Sequence, residues 1–458
     1  MTPAPLPAIL MAMKIHSLFP LAGLALASCI HLAAEVVTNE FPRSAERTAE
    51  LQTASIAEQN AAWCEQRDCS EPPPRPVEVL MDTHAHLAMG PGMGRVFTGT
   101  PWEPVQEPHW SYRFSEKMGV DKLLNSGYGL VVVSLYANVF AIWPKDVPTA
   151  IDEQIAQMHE LVERYPDHFV IVTTSEQARR AIAEGKMALV LHLEGSEWAM
   201  RSEADVAHLY RAGVRGANPI HIYDSWIGGA DLQMGAKILL NPPGGGHSHF
   251  VDGRRENRTG LTPQGKQLLR AMRDYGMVID ISHFSRQALR ELHAMPELAG
   301  TPIFNSHMPD LAASSKAERA VNQETMDILR ARGGLLGLVP TAHSPEVMEP
   351  FAGLCPQTVE TYTAIYAMAL EMAGDMPLGI ASDFNGGIGH LKPTHGPEGC
   401  YPEDEATTDF QRDGLAHAGY IPDVVEHIRS QGVDVTPLYA ASERFLEIWE
   451  RAEQQKRF

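Results

Sequence analysis

Eight short apolar runs, separated by amphipathic stretches, leave this chain few ways to fold. They are Val77–Thr83, Leu130–Tyr136, Ala188–Leu193, Gly216–Ile222, Met277–Ser282, Pro302–Ser306, Leu335–Pro340 and Leu378–Ser382. Helical patterns lie between them. Ile151–Tyr165 places Ile155, Met158, Leu161 and Val162 on one face, and Thr262–Tyr275 opens Thr-Pro-Gln-Gly and runs through Leu268, Leu269 and Met272. Strand-like runs alternating with helices predict an α/β fold with a parallel sheet. Eight of each predict a closed (β/α)8 TIM barrel, with any site at the carboxyl ends of the strands. A doubly wound open sheet is the alternative, but no glycine-rich phosphate turn follows the first run.

The chain has 458 residues and is 44% hydrophobic, enough for one large or two average domains. A net charge of -20 is the opposite of the basic footprint nucleic acid requires, so no such partner is expected. No internal stretch reaches membrane-span length. The beginning of the chain reads as a targeting segment rather than fold. Lys14 and His16 precede an apolar run from Leu18 to Ala27, and Leu26-Ala27-Ser28-Cys29 looks like a bacterial lipobox. Residues 1–29 are therefore expected to be a lipoprotein signal peptide, with Cys29 lipidated after cleavage. Export to the bacterial cell envelope follows, and Ile30 after the cysteine points to periplasmic or outer-membrane sorting. Membrane contact is expected through that anchor alone.

Residues 30–76 read as a tether. Glu46–Trp63 has helical character, Cys64 and Cys69 frame a short loop, and Pro72-Pro73-Pro74-Arg75-Pro76 is a stiff spacer. Residues 77–458 remain as the barrel domain. Besides Cys29 the cysteines are Cys64, Cys69, Cys355 and Cys400. An even number in an exported chain permits two disulfides. Cys64–Cys69 would close a small loop and Cys355–Cys400 is the default remainder, among three pairings that the sequence allows.

The strand ends carry the chemistry. His84 and His86 close the first run, and residues two apart on a strand point the same way. Glu194 ends the third, His221 the fourth, His283 the fifth, His307 the sixth and Asp383 the eighth. Taken singly, each has a bland reading as a hydrogen-bonded polar residue at a strand end. Together on one barrel face, they supply four imidazoles and a carboxylate for two metal ions, with His221 and Asp383 left for chemistry.

The stretches Asp82-Thr83-His84, Leu193-Glu194-Gly195, Leu209-Tyr210-Arg211-Ala212-Gly213-Val214-Arg215 through His221, Gly260-Leu261-Thr262-Pro263-Gln264-Gly265-Lys266 through His283, and Ser382-Asp383-Phe384-Asn385-Gly386 carry a resemblance. The chain from Val79 to Gly387 resembles the membrane (renal) dipeptidase family of the metal-dependent amidohydrolase superfamily. That resemblance implies two Zn2+ ions per chain, one held by His84 and His86, the other by His283 and His307, with Glu194 bridging. It implies that a metal-activated water attacks a dipeptide amide bond, that Asp383 moves the proton, and that His221 polarises the carbonyl or stabilises the oxyanion. A small dipeptide is then the partner, and a homodimer is one assembly the resemblance allows.

Two departures stand out. The family usually has an aspartate where this chain has His86, so one metal gains a neutral ligand and loses a negative one. The family's arginine that grips the substrate carboxylate has one surviving counterpart, Arg319, which reads equally well as a solvated charge at a helix start. The long loop after the fourth strand, Asp224 to Arg258, is expected to be a lid shaping the pocket. His247 and His249 in it, like His390 and His395 after Asp383, read as loop residues rather than ligands. Asp82 and Asp280 are expected to orient the metal histidines, and for Asp280 a core carboxylate satisfied by backbone donors is the alternative. Two rivals remain: a hydrolase of N-acyl amino acids, lactones or related small esters, and a non-catalytic surface lipoprotein.

Overall fold

A computed structural model describes residues 52–88, 109–112, 116–137, 146–232, 248–251, 253–312, 315, 317–341 and 351–458. The signal segment with Cys29, the first part of the tether (residues 30–51), and His247 lie outside the described residues.

The strands are β1 (Leu80–Ala85), β2 (Tyr128–Tyr136), β3 (Phe169–Ile171), β4 (Met187–Glu194), β5 (Gly216–Asn218), β6 (Ser248–Val251), β7 (Arg254–Asn257), β8 (Val278–Asp280), β9 (Ile303–Met308), β10 (Leu336–Leu338) and β11 (Leu378–Ile380). Eight of them close a parallel barrel in the order β1, β2, β4, β5, β8, β9, β10, β11, with β11 pairing back onto β1. These are the eight expected runs. The expected fold, a (β/α)8 barrel, is the one the chain adopts.

Two pieces of sheet escaped the sequence reading. Strand β3 is three residues long and hangs on the start of β4, too short to show a period. Strands β6 and β7 form an antiparallel hairpin inside the loop expected to be a lid. The Asp252-Gly253 pair between them is a strong hairpin signal, with Gly253 at φ +74.

Several strands are shorter than their apolar runs, and the reasons are local. After β5 comes Pro219, which has no N–H for the ladder. Beyond β8 and β11, His283 and Asp383 take φ 64 and φ 50, which ends the extended path and turns each side chain to the barrel mouth.

Hydrogen-bonding residues start the helices. Asp146 caps the helix Val147–Arg164 through Thr149 N, and Thr262 caps Pro263–Asp274 through Gly265 N. The helix Thr436–Glu453 seals the amino-terminal end of the barrel. Its Phe445 and Trp449 are buried with Phe304, Val190 and Leu335. Ser442 Oγ donates to Val77 O at 2.8 Å, and Arg179, fully buried, pairs with Glu443 at 2.7 Å.

Part of the expected tether is bound to this end. The helix Ile56–Cys64 opens on a capping box of Ser55 and Glu58. Asn60 donates to Glu176 at 2.8 Å, and Arg215 donates to Gln59 Oε1 at 2.9 Å. The helix overlaps the stretch expected to be helical, but it buries none of its residues, so polar contacts hold it and its docking is not written in an apolar stripe. Both disulfides, Cys64–Cys69 and Cys355–Cys400, are formed.

Gly337 on β10 faces the barrel interior, where a Cβ would overlap the Ser306 carbonyl and the Thr83 hydroxyl. Gly337→Ala is therefore expected to lower unfolding stability by about 2 kcal/mol or more, read by denaturant titration.

Glu453 gives a second check. Burial pushes its carboxyl up to about 7, against the hydrogen bonds from Ser175 that favour ionisation. The folded chain thus holds a proton that the unfolded chain loses near 4.5, so this group's stabilisation falls as pH rises between those values. The stability difference between wild type and Glu453→Gln should shrink from about pH 4.5 to about pH 7 and stay flat above.

Candidate metal centre

Strand β4 sets the centre of the site. Glu194 is its last residue, paired in register with Tyr136 of β2 and Asn218 of β5, and its side chain points into the barrel mouth. One carboxylate oxygen, Oε2, lies 3.2 Å from His86 Nε2 and 3.6 Å from His84 Nε2. The other, Oε1, lies 3.5 Å from Nε2 of His283, of His307 and of His221. The carboxylate therefore faces a different histidine pair with each oxygen. Asp383 stands on the first side, with Oδ1 3.4 Å from His86 Nε2 and 3.9 Å from His84 Nε2.

The pairs are drawn close. His84 and His86 bring their Nε2 atoms to 3.2 Å, and His283 and His307 bring theirs to 2.9 Å. Two nitrogen ligands of one tetrahedral zinc ion, each about 2.0–2.1 Å from it, sit about 3.3 Å apart. His84, His86 and Glu194 form one group with metal-ligand atoms within 4.8 Å of one another, and Glu194, His283 and His307 form another. The donor set fits two divalent cations that share a carboxylate.

Side chains behind the histidines fix their orientation. Ser134 Oγ lies 2.9 Å from His84 Nδ1, and Ser306 Oγ lies 2.8 Å from His307 Nδ1. With Nδ1–H donated to a hydroxyl, each ring turns an Nε2 lone pair to the cluster. Ser306 is held by Ser282 Oγ at 3.0 Å, and Ser282 donates to Asp280 at 2.8 Å. Asp280 also accepts the Ser282 and Ser306 amides, so it acts on His307 through a serine relay and satisfies backbone donors as well. Asp82 accepts from His84 N and Ser382 N, tying the end of β1 to the end of β11.

Electrostatics divide the two halves. Burial by itself would lower the His86 pKa, but its bonds to Asp383 and Glu194 outweigh this and push it up to about 10. Burial holds His283 and His307 well below the ordinary value, helped by the Arg319 charge and neighbouring imidazoles. Burial would raise Glu194, yet the surrounding histidines hold it well below the usual carboxylate range. One pair thus contains a protonated imidazole, and the other offers neutral rings.

Arg319 has a place that its sequence did not disclose. Its Nη1 donates to His283 Nδ1 at 2.8 Å, and its Nε lies 3.9 Å from Asp231. A guanidinium can only donate, so the neutral His283 ring keeps its hydrogen on Nε2, the atom facing the cluster. Ligation through that atom requires the Arg319 contact to be given up. His221 stands against His283 and Tyr136, with ring centroids 4.6 and 4.9 Å away. His249, His390 and His395 belong to none of the ligand groups among the described residues. Sequence reasoning missed Ser134 and Ser306, whose only signal is a hydroxyl on an inward-facing strand position. It also missed Glu197, buried beside Glu194 with a carboxyl that burial pushes up to about 7.

The class is now defined: a TIM barrel with two histidine pairs and a shared glutamate at the carboxyl ends of its strands. The family model described as membrane dipeptidase (peptidase family M19) matches residues 80–396, and the chain belongs to that family. It is 24% identical over 234 residues to dipeptidase verJ of Clonostachys rogersoniana, covering 51% of this chain and 52% of that protein. The chain thus matches about half the length of that curated relative.

Solved structures show the same fold. A metallo peptidase of the family described as dipeptidase AC aligns with TM-score 0.59 at 16% identity, over 82% of this chain and 99% of that one. A Rhodobacter sphaeroides metallo peptidase liganded with a phosphinate mimic of the dipeptide L-Ala-D-Ala aligns with TM-score 0.56 at 17% identity, over 82% and 100%. The probable dipeptidase PvdM of Pseudomonas aeruginosa aligns with TM-score 0.60 at 15% identity, over 82% and 96%.

Because the His86 proton is held up to about pH 10, a divalent metal entering this pair at pH 8 must displace it. Metal titration of the apoprotein should release about one proton per chain in unbuffered solution, and His86→Asn should abolish that release.

Proposed function

We propose that this chain is a zinc-dependent dipeptidase, holding two ions per chain and hydrolysing the amide bond of small dipeptides. One observation carries the reading: each oxygen of Glu194 faces its own histidine pair, with Asp383 on one flank and His221 on the other. A structural metal site needs no further carboxylate or imidazole beside its ligands, and this one has Asp383 and His221 there.

His84 and His86 would hold one ion, His283 and His307 the other, and Glu194 both. The ions would supply Lewis acidity and activate a water at neutral pH. The residues of the chain do the rest. Asp383, its Oδ1 directed at the His84–His86 side, accepts the proton of the attacking water and returns it to the leaving amine. His221, on the opposite flank, donates to the carbonyl oxygen as charge develops there. Arg319, released from His283, is the cation available at the rim for a substrate carboxylate.

Residues 1–29 are proposed to direct export, with Cys29 lipidated and the barrel tethered to the bacterial envelope. The two disulfides support an oxidising compartment.

The deciding experiment combines metal content with a panel of L-X and D-X dipeptides, N-acyl amino acids and lactones. About two zinc ions with chelator-sensitive dipeptide cleavage supports the proposal, whereas cleavage confined to acylated substrates or lactones assigns the barrel to the rival hydrolase class. No metal and no turnover would leave a binding lipoprotein. Asp383→Asn is expected to keep both metals and lose at least about 10²-fold in kcat.

A further inference from the structure

Behind Asp383 lies a lysine that the reaction as described does not use. Lys117 is fully buried. Its Nζ lies 2.9 Å from His390 Nδ1 and 3.4 Å from Trp110 O, and stands over the Phe384 ring at 5.9 Å, so its described contacts are two rings and a carbonyl rather than a carboxylate. The Ser382 carbonyl can only accept, so the neutral His390 ring accepts from Lys117 through Nδ1 and carries its hydrogen on Nε2. That nitrogen lies 2.8 Å from Ser382 O and donates to it. His390 is also stacked on Phe384, with centroids 4.4 Å apart and planes 29° apart. The lysine and histidine therefore hold the two residues that flank Asp383.

The same lysine reaches the metal side by a second path. Its backbone N–H donates to Asn385 Oδ1 at 3.3 Å, and Asn385 Nδ2 donates to His86 O at 3.2 Å. The opposite side of the turn is pinned to β1, by Asp383 N to His84 O at 2.8 Å and His86 N to Phe384 O at 3.1 Å. The clasped turn needs holding, because Asp383 and Asn385 have φ 50 and φ 64, a region that costs an ordinary residue about 1 kcal/mol or more. Gly386 follows for a steric reason: a Cβ there would overlap Asp383 Oδ1.

A buried ammonium is an expensive structural device. Burial depresses its pKa to about 7, against the attraction of the Asp383 charge. An apolar side chain of the same length would fill the space without that cost. The arrangement makes sense where the donor has to set the tautomer of His390.

We infer that Lys117 and His390 are positioning residues for the reaction, a buried donor–acceptor relay that aims the Asp383 carboxylate at the His84–His86 pair by fixing the strained turn Ser382–Asn385. The inference rests on the role proposed for Asp383 in dipeptide hydrolysis.

Steady-state kinetics of the zinc-loaded full chain on a dipeptide it cleaves tests the relay. Lys117→Met keeps the aliphatic stem and removes the donor. It is expected to lower kcat by about 10²-fold, the scale of a small misplacement of a reacting group, with KM within about twofold and metal content unchanged. His390→Phe keeps the stacking and loses both hydrogen bonds, and should match it. His390→Gln retains a donor for Ser382 O and should recover most of the rate. In an Asp383→Asn background the Lys117→Met change should cost nothing further, since its effect passes through that carboxylate. A purely structural role would lower the residual rate of the Asp383→Asn enzyme by the same factor. Wild-type kcat in Lys117→Met, equal losses in His390→Gln and His390→Phe, or full additivity with Asp383→Asn each overturns the relay. A wild-type enzyme inactive on every dipeptide instead overturns the dipeptidase reading itself.

Discussion

The site depends on one carboxylate, Glu194, held among five imidazoles. Its two oxygens face opposite ways, one to His84 and His86, the other to His283, His307 and His221. Those histidines sit on strands, or just past the ends of strands, that are far apart in the chain and meet only because the barrel closes. Glu194 is also the last residue of the strand that pairs with β2 along seven positions, so its height in the barrel is set by the longest ladder in the sheet. An error of one residue in that register would turn the carboxylate out of the barrel.

Around that carboxylate the protein builds an asymmetric electrostatic environment. The His84–His86 side has a second carboxylate, Asp383, and holds a proton on His86 well past neutrality. The His283–His307 side has Arg319, and its imidazoles are neutral. A cation approaching the first pair competes with a proton, and one approaching the second competes with a guanidinium contact. The two halves are thus coupled through Glu194 but controlled differently. His86 is what gives the first half its proton.

Packing elsewhere serves this arrangement. Thr83, next to His84, donates to Ser306 O and Ile380 O inside the barrel, which Gly337 leaves room for by lacking a side chain. At the opposite end the C-terminal helix and the docked helix Ile56–Cys64 close the floor. The barrel mouth can then carry polar, strained and charged residues while the apolar floor supplies stability.

By itself the sequence determined the eight barrel strands and the helical stretches between them, and it singled out the strand-end residues that the structure brings together. Those features are local: apolar runs, capping residues and turn chemistry are written in neighbouring positions. The hairpin of β6 and β7 is local too, with Asp252-Gly253 as its signal, although the stretch reads as a loop. Only the tertiary structure decided which histidines pair, that Glu194 faces both pairs, that Arg319 rests on His283, that Ser134 and Ser306 stand behind His84 and His307, and that Lys117 and His390 stand behind the turn at Asp383. These depend on distances between strands separated by up to three hundred residues, where a serine or a buried lysine looks like any other. The same limit hid the docking of Gln59 and Asn60, because polar contacts leave no periodic trace in a sequence, whereas burial of apolar side chains does.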